Sequence, residues 1–236
     1  MQLDGARCVI TGATEGIGRA IALQLGAVGA KLAVCSRSTD KVARVVDELE
    51  GRGVTVYGVA CDVGHEDDVT RFHAGAREAL GGVDALINNA GLAHFAPVAE
   101  MTTAQFDETM SVNVRGVFLM SRAFLSDLIG SRGHIINVAS LAGRNAVPNA
   151  AAYAAAKHAV LGFSKSMFLE TRKTGLRVTA ICPGSVVTPF FDKAGVTIDR
   201  PDDKLQPQDV ADAVIGVLSL PERALISELD IRPTNP

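Results

Sequence analysis

Short apolar runs alternate with longer amphipathic ones along this chain, and that alternation limits the fold more than any other feature. Seven runs read as strands, rich in β-branched residues: RCVIT (7–11), KLAVCS (31–36), VTVYGVACDV (54–63), VDALINNAG (83–91), GHIINVAS (133–140), LRVTAICPG (176–184) and ALISELDIRP (224–233). Between them lie helical patterns. Residues 17–28 carry Ile17, Ile21, Leu25 and Val28 on one stripe, and 40–50 carry Val42, Val45, Val46 and Leu49. Residues 66–80 form a polar helix. One long helix is expected over 102–129, with Thr102 or Thr103 as its cap. A further helix holds Tyr153 and runs to about 173, and the last covers 208–218. Strands alternating with helices at this spacing build βαβ units on a parallel sheet. Right-handed crossovers then place helices on both faces. The expected architecture is α/β: a single domain over 1–236, doubly wound, with about seven parallel strands.

Composition agrees where it bears on this. Hydrophobic residues make up 47% of the chain, Trp is absent, and 23 glycines allow helices to pack closely on strands. A net charge of −3 is the wrong balance for a nucleic-acid footprint. Cys8, Cys35, Cys61 and Cys182 sit singly in apolar runs, without CxxC or Cys/His spacing, so neither a metal nor a disulfide framework is expected. Reduced cysteines imply a reducing compartment. The opening MQLDGARCVITG places Asp4 and Arg7 before a short apolar stretch, unlike a signal peptide, and no run reaches membrane-span length. A soluble, cytoplasmic protein is expected.

The first strand ends in TGATEGIG (11–18) and opens directly into a helix. Gly12, Gly16 and Gly18 permit a tight turn and a close approach of backbone, and the helix N-terminus offers free N–H groups to a pyrophosphate. In this position the loop points to a dinucleotide, although its G-x-x-x-G-x-G spacing differs from G-x-G-x-x-G. The second strand ends at Ser36-Arg37, where an NAD site commonly has a carboxylate. A guanidinium here suits a 2′-phosphate, whereas Glu15 in the glycine loop opposes one. Asp62-Val63 ends the third strand, either against adenine or as a turn. The NNAG run (88–91), with Asn89, Ala90 and Gly91, ends the fourth and could tie neighbouring strand ends together.

YAAAK (153–157) sets a phenol one helical turn ahead of an ammonium. Together with TGATEGIG, NNAG, Asn113 in NVRG, Ser140 after a strand and PGSVVT (183–188), it resembles the classical short-chain dehydrogenase/reductase family over nearly the whole chain. The resemblance implies a Rossmann-type fold and interconversion of a carbonyl and an alcohol by hydride transfer. Tyr153 would exchange the proton. Lys157, together with the oxidised nicotinamide, would acidify it, and Lys157 would also bond the nicotinamide ribose. Ser140 would hold the substrate oxygen, and Asn113 would bind a water linking Lys157 to solvent. Lowering a phenol from pKa ≈ 10 by ~3 units needs ~4 kcal/mol of preferential phenolate stabilisation. The implied cofactor contacts are Gly12, Thr14, Gly16, Ile17, Gly18, Ser36, Arg37, Asp62, Val63, Asn89, Ala90, Gly91, Tyr153, Lys157, Pro183 and Gly184. Beyond these, the backbone of Val187 and the hydroxyl of Thr188 would fix the carboxamide.

NADP(H) is the expected cofactor, with NAD(H) as the alternative. The substrate would be a small carbonyl compound or alcohol, bounded by 92–98, 141–149 and a loop over 185–206 that includes Phe95, Arg144, Asn145, Phe190 and Phe191. Arg144 meets either an anionic group or solvent. His94 lies at the cleft or the surface, and His158 is structural. A 3-oxoacyl carrier-protein reductase is a further reading. Against it, Phe168-Leu169-Glu170 stands where that subgroup has Ala-Arg-Glu. A nucleotide-binding sensor or scaffold without catalysis is the alternative from another class. A homodimer or homotetramer is expected, and helix 102–129 with the stripe Val160, Leu161, Phe163, Met167, Phe168 could form its seam, although an ordinary core-facing stripe would explain some of the same residues.

Overall fold

Successive strand residues point to opposite sides of a sheet, so a strand apolar at every position must be covered on both faces. The computed structural model shows this for residues 1–197 and 199–234; Ile198, within the expected 185–206 loop, and Asn235 and Pro236 lie outside the described residues. The strands are β1 (Arg7–Thr11), β2 (Lys31–Ser36), β3 (Val56–Ala60), β4 (Ala85–Asn88), β5 (His134–Val138), β6 (Arg177–Pro183) and β7 (Glu228–Ile231). They form one sheet in the order β3-β2-β1-β4-β5-β6-β7, parallel throughout. Around it lie α1 (Gly16–Ala27), α2 (Thr39–Glu50), α3 (Glu66–Leu80), α4 (Thr103–Met110), α5 (Gly116–Gly130), α6 (Ala151–Thr171), α7 (Pro189–Lys193) and α8 (Pro207–Ser219).

Alternate residues sort into two cores. Ile10, Val34 and Ile87 pack with Ile21, Leu25, Val214 and Leu218 of α1 and α8. Their strand neighbours Val9, Ala33 and Leu86 pack with Phe72 of α3 and Phe124 of α5 on the other face. Strand order reverses between β1 and β4, and their C-terminal ends part there into a crevice.

Two expectations change and a third narrows. The single helix over 102–129 is two helices joined by a π-helical turn, Ser111–Arg115, which carries Asn113. Thr102 caps α4 in a reciprocal capping box with Gln105. Part of the apolar stripe on α6 faces the core: Val160, Leu161 and Met167 are buried within the protein, and the partly buried Phe163 and Phe168 pack against buried neighbours. The 185–206 segment is not structureless. It contains α7, a 3₁₀ turn at Pro201–Asp203 and a parallel bridge from Val186 to Leu205. The outer strands β3 and β7 are also shorter than their apolar runs. Each pairs along one edge, and Asp62 already turns the chain, accepting from Gly64 N at 2.9 Å. Among the described residues, no helix is long and apolar enough to cross a membrane.

Candidate active site

The glycine loop is shaped by contacts that leave no room for side chains. A Cβ on Gly18 would lie 2.3 Å from the Gly12 carbonyl oxygen and 2.4 Å from Asn89 Nδ2. Gly12 itself has φ +64°, and its Cβ would lie 2.9 Å from Ala90 Cα. NNAG does tie strand ends together: Asn89 Nδ2 donates to Thr11 O at 3.0 Å and Gly12 O at 3.1 Å, and Thr11 Oγ1 accepts from the backbone of Asn89 and Ala90. Asn88 turns the other way, donating to Asn137 Oδ1 at 2.8 Å inside the sheet. Helix α1 starts at Gly16 with no side chain capping its first turn. Its N–H groups therefore face the crevice as an anion site. Gly18→Ala should lower dinucleotide affinity at least about tenfold with the circular dichroism spectrum retained, because the Gly12 carbonyl it meets is backbone and cannot swing aside; calorimetric titration reads it.

At the end of β2, Ser36 Oγ is buried and has no hydrogen-bond partner. Arg37 Nη1 bonds Glu108 Oε1 at 2.9 Å, and Glu108 Oε2 meets His94 Nε2 at 2.8 Å. His94 and then Arg37 hold the Glu108 carboxyl below the usual carboxylate range. Glu15, expected to repel a phosphate, is paired with Lys41 at 2.9 Å and with Lys193 of α7. Asp62 faces the cleft and also forms the turn.

Helix α6 and the end of β5 bring Ser140, Tyr153 and Lys157 into that same cleft. Lys157 is buried, 4% exposed. Its Nζ donates to Val138 O at 3.0 Å and lies 5.6 Å from the centre of the Tyr153 ring. Burial pushes its pKa down to about 8. Tyr153 is half-buried. Enclosure of the phenol pushes its pKa up to about 12, and its hydrogen bond with Ser140 pulls the other way. In the ligand-free chain the phenol is thus less acidic than usual. The reason is that desolvation outweighs the hydrogen bond with Ser140.

Asn113 is fully buried in the π turn. Its Nδ2 donates to Leu92 O at 2.7 Å and Thr109 O at 2.9 Å, whereas its Oδ1 has no partner in the protein. Gly91 lies between that oxygen and Lys157: a Cβ there would be 2.9 Å from Oδ1 and 3.6 Å from Nζ.

These parts line one cleft of about 770 Å³ running from Ser36 and Arg37, past the glycine loop, to Tyr153 and Phe191. Of the expected contacts, Gly12, Thr14, Gly16, Ile17, Ser36, Arg37, Asp62, Val63, Asn89, Ala90, Gly91, Pro183, Gly184 and Thr188 all line it; Gly18 supports the loop from behind. Val187 is a correction. It is not among the lining residues, and its N–H donates to Leu205 O at 2.8 Å. In that parallel bridge the N–H and C=O of Val186 point the other way, and Val186 does line the cleft. Arg144 is neither a cleft residue nor a free one: it bonds Glu228 and Asp230 at 2.6 Å each. Of the histidines, His94 lines the cleft; His158 bonds Ala154 O within its own helix. Sequence reading missed Lys41, Glu108 and Lys193. Only Lys41 left a signal, lying in the first turn after the Ser38 cap.

A glycine-lined crevice at the switch point, joined to a buried Lys and a phenol, defines a nucleotide-dependent α/β enzyme. Residues 6–210 match the family model described as short chain dehydrogenase. A putative ketoacyl reductase of the granaticin polyketide synthase from Streptomyces violaceoruber is 40% identical over 78% of this chain and 69% of its own. An alcohol dehydrogenase from Thermococcus sibiricus, solved with 5-hydroxy-NADP, superposes with a TM-score of 0.90 at 31% identity, covering 97% of both chains. A short-chain dehydrogenase/reductase from Burkholderia phymatum, solved with NAD, gives 0.88 at 30% identity over 97% of this chain and 90% of that one. The chain belongs to the short-chain dehydrogenase family and is an oxidoreductase with its fold.

Proposed function

We propose that this enzyme interconverts a carbonyl and an alcohol using NADP(H), with Tyr153 as the proton-transfer group. The observation that carries this reading is the convergence of the Tyr153 phenol, the Ser140 hydroxyl and the Lys157 ammonium on a cleft that also contains the uncapped start of α1. The orphaned Ser36 Oγ and the two crowded glycines fit a nucleotide lying along that cleft. When bound, the nicotinamide supplies or accepts hydride. Thr188, with Val186 in place of Val187, would hold its carboxamide.

In the reducing direction Tyr153, which keeps its proton at neutral pH, donates it to the substrate oxygen. Ser140 bonds that oxygen and stabilises its developing charge. The Lys157 charge supports the phenolate left behind. Asn113 Oδ1 accepts from a water that connects Lys157 to solvent. Cofactor oxidation against a panel of carbonyls, with both nucleotides, tests the reading; binding without any turnover would leave only a sensor or scaffold.

NADP(H) is favoured because Arg37 stands at the ribose end and Glu15, the opposing carboxylate, is neutralised by Lys41 and Lys193. The NAD(H) reading draws on the Arg37–Glu108 pair, which occupies the same guanidinium. Arg37→Ala should weaken NADPH binding by about 10–100-fold and leave NADH nearly unchanged, as expected for one charge-assisted contact. Glu108→Gln should move NADPH affinity the other way, by about two- to fivefold for an exposed pair. Equal losses for both nucleotides would reject the phosphate assignment. A carrier-protein substrate has the polyketide ketoreductase relative in its favour and Phe168-Leu169-Glu170 against it. Assembly into dimers or tetramers remains part of the proposal and is read by light scattering.

A further inference from the structure

The chain has nine Phe and two Tyr, yet four of those rings meet at one point. Tyr153 and Phe190 have centroids 5.6 Å apart at 51°, and Phe190 and Phe191 are 5.4 Å apart at 83°. Phe191 and Phe95 lie 6.4 Å apart at 26°, and Phe95 returns to Tyr153 at 6.2 Å and 42°. The four therefore form a closed circuit drawn from α6, α7 and the segment after β4. All its sides fall in the range that aromatic pairs prefer.

We propose that the substrate carbonyl bears an aromatic ring, which takes a place in this circuit against Tyr153 when α7 swings aside. This rests on the carbonyl–alcohol reading of the same site. With its oxygen at Tyr153 and Ser140, a substrate has its substituents among Phe95, Phe190 and Phe191. A stacked ring needs about 3.5 Å on each side, roughly 7 Å between flanking faces. Centroid separations of 5.4–6.4 Å leave no such gap, so a ring of the lid must yield. Helix α7 is suited to this. It is five residues long, buries none of them, and is held to the glycine loop by the Lys193–Glu15 pair. Moving it breaks ring-on-ring contacts. An aryl group restores them, whereas a saturated ring of equal size fills the volume without the edge-to-face complement.

The test has two arms. In the first, acetophenone and cyclohexyl methyl ketone are compared as substrates with NADPH and NADH. The aryl ketone should have a kcat/KM about tenfold higher. In the second, benzamide and cyclohexanecarboxamide, neither of which is reduced, are titrated into the protein by calorimetry, and the same order of affinity is expected. Phe190→Leu and, separately, Phe95→Leu should narrow both ratios. Turnover with no aryl preference overturns the aromatic seat and leaves the reductase. An aryl preference in binding, narrowed by Phe190→Leu but without turnover of any carbonyl, keeps the seat and rejects the reductase. Equal binding of the two amides rejects the seat whatever the turnover.

Discussion

Tyr153→Phe should reduce carbonyl turnover by about 10²–10⁴-fold, the usual contribution of a positioned acid or base, while dinucleotide affinity stays within about twofold. The substitution removes one oxygen and keeps the ring. The contacts of that ring with Phe95 and Phe190 do not depend on the hydroxyl. Ser140 keeps its bond from Ala142 N at 3.1 Å, so the strand end stays in place. Single-turnover rates with bound NADPH, alongside calorimetric affinities, separate a loss of proton transfer from a loss of binding. Unchanged turnover in the variant would remove Tyr153 from the mechanism. The wild-type enzyme adds a check of sign. A phenol pushed up to about 12 is protonated at neutral pH, ready for reduction. Alcohol oxidation needs the phenolate, so its rate should climb from pH 7 to pH 10 while reduction does not.

Lys157→Met should produce opposite effects on stability and on activity. Folding lowers the lysine pKa from 10.5 to about 8, so burying the ammonium costs the native state about 3 kcal/mol at neutral pH. Methionine has a similar shape and no charge. Losing the hydrogen bond to Val138 O takes back about 1–2 kcal/mol. The net is a ligand-free protein about 1–2 kcal/mol more stable, with Tm higher by about 2–8 °C. Because a depressed lysine pKa means the unfolded chain binds the extra proton, the wild type is penalised fully below pH 8. That penalty fades as pH rises from 8 to 10.5. The advantage of Lys157→Met should shrink over the same interval in thermal melts. Turnover should nevertheless fall by orders of magnitude, since the cation supporting the phenolate is gone. A variant less stable than wild type at pH 7 would mean that the ammonium is stabilised by more than one carbonyl. Trading stability for function is common where a charge is buried for chemistry.

Much of this was legible in the sequence because it is local. Strand and helix order followed from apolar periodicity, and the glycine loop from its place between β1 and α1. Tyr153 and Lys157 share a helical face by spacing alone. NNAG allowed a tie between strand ends without announcing it, since Asn-rich turns are ordinary and, of the two amides, only Asn89 makes the tie. What failed was the part that depends on neighbours distant in sequence. Nothing in residues 102–129 announces a π turn at Asn113, since the amide earns it by reaching Leu92 O. The stripe on α6 left seam and core both open because core and interface residues are equally apolar. Val187 and Val186 differ in role only through a bridge to Leu205, which orients alternate peptide groups in opposite directions.

The sequence alone thus determined the class of fold and the crevice, which rest on periodicity and spacing within single elements, while the reacting side chains proposed here follow from the family resemblance. Only the tertiary structure decided that Lys193 reaches Glu15, that Glu108 draws Arg37 towards His94, and that Phe95, Phe190 and Phe191 close over Tyr153. The same is true of the direction of the Tyr153 and Lys157 pKa values. Those depend on how much water is excluded, and exclusion is a property of packing that no run of residues encodes by itself.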